Sequence, residues 1–91
     1  MSKSSRPDVL RFQHELEECR EIINKNNHSL ENNPSLARQI NFWMESAKFL
    51  VTELEIWDRL GKRNNYDATY NKTRKAMDYL YTLIDQLTED D

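Results

Sequence analysis

PSLARQINFWMESAKFLVTELEIWDRL, residues 34–60, holds both tryptophans and two of the three phenylalanines of the 91-residue chain. Its residues Leu36, Ile40, Trp43, Ala47, Leu50, Leu54 and Trp57 recur at alternating spacings of four and three. That is the period of a helix face lying along another helix. Asn33-Pro34 supplies a capping side chain and a proline at the first helical position, where no donor is lost. Gly61 supplies the left-handed residue that closes such a helix, with Lys62 and Arg63 at its negative end. The stretch therefore predicts one helix over 34–60.

Working outward, Val9, Phe12, Leu16, Cys19, Ile23, Asn26 and Leu30 form a similar seam, predicting a helix over about 6–30. Ser5, with Pro7 and Asp8 behind it, reads as its start. Asn26 interrupts the seam. A seam asparagine can set register, but in NKNNHSLENN fraying is the preferred reading. Tyr66, Tyr70, Thr73, Met77, Leu80, Ile84 and Leu87 predict a third helix over about 66–88. Short connections then force neighbours to reverse, giving an all-α, antiparallel three-helix bundle. The whole of 1–91 reads as one domain with a polar N-terminal tail (1–5) and an acidic C-terminal tail (88–91).

Composition supports this class. One glycine and two prolines cannot supply the turns of a β-rich fold. Hydrophobic residues are 37% of the chain and the mean hydropathy is -0.94, yet the apolar residues are gathered into seams, which favours a folded chain over a disordered one. The net charge of -3 gives no general attraction to nucleic acid or anionic lipid. MSKSSRPDVL lacks the apolar core of a signal peptide, and no run approaches a membrane span. Cys19 is the only cysteine, so a cytoplasmic, reducing setting is the expectation, with the thiol acting as a small buried hydrophobe.

At about 100° per residue, Phe42, Phe49, Ile56 and Leu60 make a second stripe on the central helix, apart from its main seam. Leaving such side chains in water forfeits roughly 1.5–3 kcal/mol each. Either the two stripes face the first and third helices within one copy, or the second stripe meets another chain. The second alternative is carried forward, with self-association as its first form, because most soluble oligomers are symmetric homo-oligomers. The third helix shows a milder surplus in Ala76, Tyr79 and Leu83.

Candidate chemistry is sparse. Phosphate-cradling and nucleophile-elbow motifs need at least two glycines, and this chain has one. His14 and His28 stand about 21 Å apart on a continuous helix and cannot share a metal. His14 with Glu18 reads as a solvated pair at i,i+4. Lys62, Arg63, Lys72, Arg74 and Lys75, near Tyr66 and Tyr70, are the one basic-aromatic stretch that a nucleotide or nucleic-acid phosphate would use. Glu15-Leu16-Glu17-Glu18 and Glu55-Ile56-Trp57-Asp58 are ExxE and ExxD pairs on two predicted helices. These two tetrapeptides resemble the magnesium-binding signature of MazG-type nucleotide pyrophosphohydrolases. The resemblance implies Mg²⁺ held by Glu15, Glu18, Glu55 and Asp58. In a chain that is 32% charged, acid pairs at this spacing also arise on solvated faces, and that reading is preferred.

The expectation is therefore a small non-enzymatic helical module without a cofactor. It binds another protein or a second copy through Phe42, Phe49, Ile56 and Leu60. An adaptor, an inhibitor, a secretion-type chaperone or an immunity-type protein fits that description. A phosphate binder is the alternative, and a pyrophosphohydrolase the more remote one.

Overall fold

The computed structural model of the protein describes residues 7–88. Among them are four α-helices and no strand: α1 (Pro7–Lys25), α2 (Asn27–Glu31), α3 (Pro34–Leu60) and α4 (Arg63–Thr88). No helix among the described residues is long and apolar enough to cross a membrane.

The ends of α3 follow from local chemistry. The Asn33 side chain accepts a hydrogen bond from the Leu36 amide at 3.3 Å, and Pro34 occupies the first turn. At the other end Gly61 takes φ 70°, in the left-handed region. Its N–H donates to the Asp58 carbonyl at 3.2 Å, and the Lys62 N–H donates to the Trp57 carbonyl at 3.0 Å. This crossed pair is a Schellman motif, and it uses up carbonyls that the helix end would otherwise leave open. The Lys62 carbonyl already accepts from the Tyr66 N–H at 2.9 Å. The last helix therefore begins at Arg63, three residues before the predicted start, because the turn needs only Gly61 and Lys62.

The first predicted helix is two helices. The Asn26 side-chain amide donates to the Ile22 carbonyl at 2.8 Å, and its backbone N–H is shared between the Ile22 and Ile23 carbonyls at 3.1 and 3.2 Å. This local competition accompanies the break between α1 and α2. The segment beyond does not fray as expected, because α2 resumes the helix and buries Leu30. The proposed cap at Ser5, the tail 1–5 and the acidic residues 89–91 lie outside the described residues; Thr88 is the last residue of α4.

The two-residue connection makes α4 return along α3. The register is visible in Trp43 against Tyr79, ring centroids 5.0 Å apart, and in Trp57 and Tyr66 sharing the cleft at the turn. α1 runs in the same direction as α4. Phe12 lies 5.5 Å from Tyr70, and one turn pair later Cys19 meets Tyr81. The contact between α3 and α4 is the most extensive in the molecule. α1, at about 28 Å, covers only part of a hairpin about 40 Å long. The extents are 48 × 22 × 15 Å.

The core gathers Val9, Phe12, Leu16 and Cys19 from α1, Leu36, Ile40, Met44, Ala47, Val51 and Leu54 from α3, and Tyr66, Met77, Leu80, Leu83, Ile84 and Leu87 from α4. Thr73 is fully buried among them. Its hydroxyl donates to the Thr69 carbonyl at 2.7 Å, so the one polar atom it brings inside is satisfied within its own helix.

Candidate interaction face

The predicted second stripe of the central helix is on the surface. Phe42 is 62% exposed, Phe49 67%, Ile56 44% and Leu60 60%. At 100° per residue these four fall within a narrow arc about half a turn from Ile40, Met44 and Val51. Both α1 and α4 pack on that core side. This overturns the alternative in which the two stripes of α3 are shared between its neighbours within one copy.

The stripe is not flat. Phe42, Glu45, Ser46, Phe49 and Leu50 line a shallow depression on it. At its upper end the aromatic surface continues around the helix. Phe42 meets Trp43 edge-on with centroids 5.3 Å apart, and Trp43 meets Tyr79 of α4 at 5.0 Å, also tilted toward edge-on. These are the arrangements that ring quadrupoles favour. Tyr79 is itself exposed, so apolar surface passes from α3 to α4 over the half-buried Trp43. Of the surplus residues noted on the last helix, Ala76 and Leu83 are instead buried.

Polar groups border the stripe. Glu45 pairs with Lys48 at 3.4 Å and Glu55 with Arg59 at 3.5 Å. Both pairs are solvated, so each is worth under about 1 kcal/mol and can exchange for other partners. The Thr52 hydroxyl donates to the Lys48 carbonyl at 3.0 Å, which leaves its methyl as the freer surface.

The basic residues Lys62, Arg63, Lys72, Arg74 and Lys75 are all exposed. Lys62 and Arg63 line the cleft at the α3–α4 turn together with Trp57, Asp58, Gly61 and Tyr66. Lys72 lies two to three turns further along α4, and Arg74 projects some 200° around the helix from it. Arg74 is 3.9 Å from Asp78. The five cations therefore do not share one face. Of the acids, Glu15 and Glu18 lie on α1, and Glu55 and Asp58 lie in the last turns of α3. No group of three or more His, Cys, Asp or Glu among the described residues is placed to hold one metal ion. His14 reaches Glu18 at 3.1 Å on the exposed side of α1, as its spacing predicts.

One cluster escapes sequence reasoning. Tyr81, half-buried on α4, lies beside both Cys19 and Glu15 of α1. Burial first, then the charges of Glu15 and Glu18, push the Cys19 thiol up to about 11, with the Tyr81 contact offsetting part of the rise. Burial, then Glu15, likewise raises the Tyr81 hydroxyl. A thiol so disfavoured as thiolate packs rather than reacts. Tyr81 sits beside the seam residue Leu80, on the edge toward α1. Only the direction from which α1 approaches could have singled it out.

No family model, curated protein or solved structure matches the chain. The likeness to MazG-type enzymes rests on the two tetrapeptides alone.

Proposed function

We infer that the protein is a small helical binding module that docks another protein helix on the outer face of α3. In this reading α1, α3 and α4 form an up-down-up three-helix bundle, with α2 as an extension of the first. The observation that carries it is Phe49. It stands 67% exposed at the centre of a stripe that includes Phe42, Ile56 and Leu60. A folded chain gains nothing from four large apolar side chains kept in water on one arc, whereas an interface does. Aromatic anchors flanked by exchangeable charges match the make-up of interface centres. Adaptor, inhibitor, chaperone and immunity-type roles all work by this kind of docking. A buried, unpaired thiol at Cys19 accords with a reducing, cytoplasmic setting.

The test is a photo-activated benzophenone side chain in place of Phe49, expressed in the protein's own cells. The expected result is a discrete adduct, absent when the probe replaces Arg74 on another side of the molecule. A folded, expressed protein that yields no adduct at position 49 sinks the docking reading.

A further inference from the structure

We propose that the occupant of this face is the same face of a second copy, with the two α3 helices antiparallel and the two-fold axis passing beside Thr52. This rests on the docking reading above and names its partner.

The depression on the stripe gives the shape of what fits. Four of its lining residues, Phe42, Glu45, Ser46 and Phe49, stand at i, i+3, i+4 and i+7. That is the four-residue hole that takes one knob from a facing helix. The small Ser46 sits at the middle of its rim. The same spacing recurs one heptad on at Phe49, Thr52, Glu53 and Ile56, and begins again at Ile56, Arg59 and Leu60, where α3 ends. A fitting partner must offer a helix with large apolar knobs seven residues apart. α3 offers that series itself, in Phe42, Phe49 and Ile56, each exposed. Set antiparallel, Ile56 of the second copy enters the first hole, its Phe49 the second, and its Phe42 rests on Ile56, Arg59 and Leu60 at the end of α3. The exchange is reciprocal, as a two-fold interface requires.

The bordering charges select the direction. One edge of the stripe carries Arg38, Glu45, Thr52 and Arg59; the other carries Gln39, Ser46, Glu53 and Leu60. Antiparallel packing lays like edge on like edge. Glu45 then meets Arg59 of the second copy at both ends, and Thr52 meets Thr52 at the centre. Glu53 falls opposite Ser46. Parallel packing lays one edge on the other instead, and Glu45 finds no cation there. The exposed contacts of Glu45 with Lys48 and of Arg59 with Glu55 are weak enough to give way. A net charge of -3 per copy adds little repulsion. A stripe one helix wide sits at the low end of interface sizes, so the pair is expected to dissociate on dilution through the micromolar range.

Light scattering from about 5 to 500 μM reads the mass, and spin labels read the direction. Labels go on Thr52→Cys and, separately, Arg38→Cys, each with Cys19→Ala to remove the native thiol. Circular dichroism checks that each variant keeps its helices. The expected result is a doubled mass at the upper concentrations, with labels at position 52 within about 15 Å of each other. Labels at position 38 should stand roughly 40 Å apart, since 28 residues of helix rise separate them along the axis. Glu45→Arg alone should weaken the pair about threefold to fivefold, and adding Arg59→Glu should restore it. A monomer mass throughout overturns the proposal, as do short distances at both positions, which would mean parallel helices. If the mass stays monomeric while the probe at position 49 still captures a different protein, self-pairing falls and the docking reading stands.

Discussion

The two sides of α3 are built from the same kinds of residue and meet opposite fates. The inner side, with Leu36, Ile40, Met44, Ala47, Val51 and Leu54, is sealed under α1 and α4. The outer side, half a turn away, keeps Phe42 and Phe49 in solvent although each is larger than any inner-side residue. The difference teaches that apolar content does not decide burial. The number and position of companion helices decides it. Two companions approaching from one direction can cover one arc, and here they leave the other open.

That contrast can be broken most directly by truncating one residue on each side. Leu54→Ala removes a fully buried side chain and should cost about 2–5 kcal/mol of unfolding free energy. Phe49→Ala, measured by denaturant titration at low micromolar concentration, should change it by under about 0.5 kcal/mol while reducing association at high concentration. Equal losses from both would erase the distinction between a folding side and a docking side.

A smaller effect sharpens it. Gly61 holds φ 70°, and a methyl group added there meets nothing within 4 Å, so the cost of Gly61→Ala is conformational alone. About 1–2 kcal/mol of stability should be lost. Self-association per folded copy should stay unchanged, because the turn lies off the outer stripe. A stability change near zero would mean that the helix end relaxes away from its left-handed cap.

The smallest effect concerns the inner side and pH. The Cys19 thiol rises from 9.0 to about 11 in the folded chain. Because the folded state resists its ionisation, this contribution is fully present below pH 9 and drains away as pH climbs from 9 toward 11. Wild type should therefore lose more denaturant resistance between pH 7 and 10.5 than Cys19→Ala does. Parallel pH profiles for the two proteins would remove the thiol from the account.

Much of this was legible in the sequence, but unevenly. Both ends of α3 could be read because Asn33-Pro34 and Gly61 act through local backbone chemistry. The outer stripe could be read because angular position needs only residue number. The break at Asn26 could not, since it turns on a side-chain amide choosing the Ile22 carbonyl over solvent. The start of α4 was placed late because the Schellman bonds at Trp57 and Asp58 make the turn shorter than GKRNN implies. The lack of one stripe in the basic stretch was legible too, since at 100° per residue Arg74 turns away from Lys72 and Lys75. The link from Tyr81 to Cys19 and Glu15 depends on where α1 lands, which no local pattern encodes.

The partial shelter that α1 gives the hairpin has a geometric corollary. Since α1 and α4 share a direction, Pro7 sits near the Gly61 pole and Thr88 near the pole that carries α2. Whatever is attached at the two points is held roughly 40 Å apart by helices too stiff to fold back. The molecule is thus a strut with its exposed apolar stripe along the middle. Two struts laid side by side and antiparallel would send one leading and one trailing attachment out at each end.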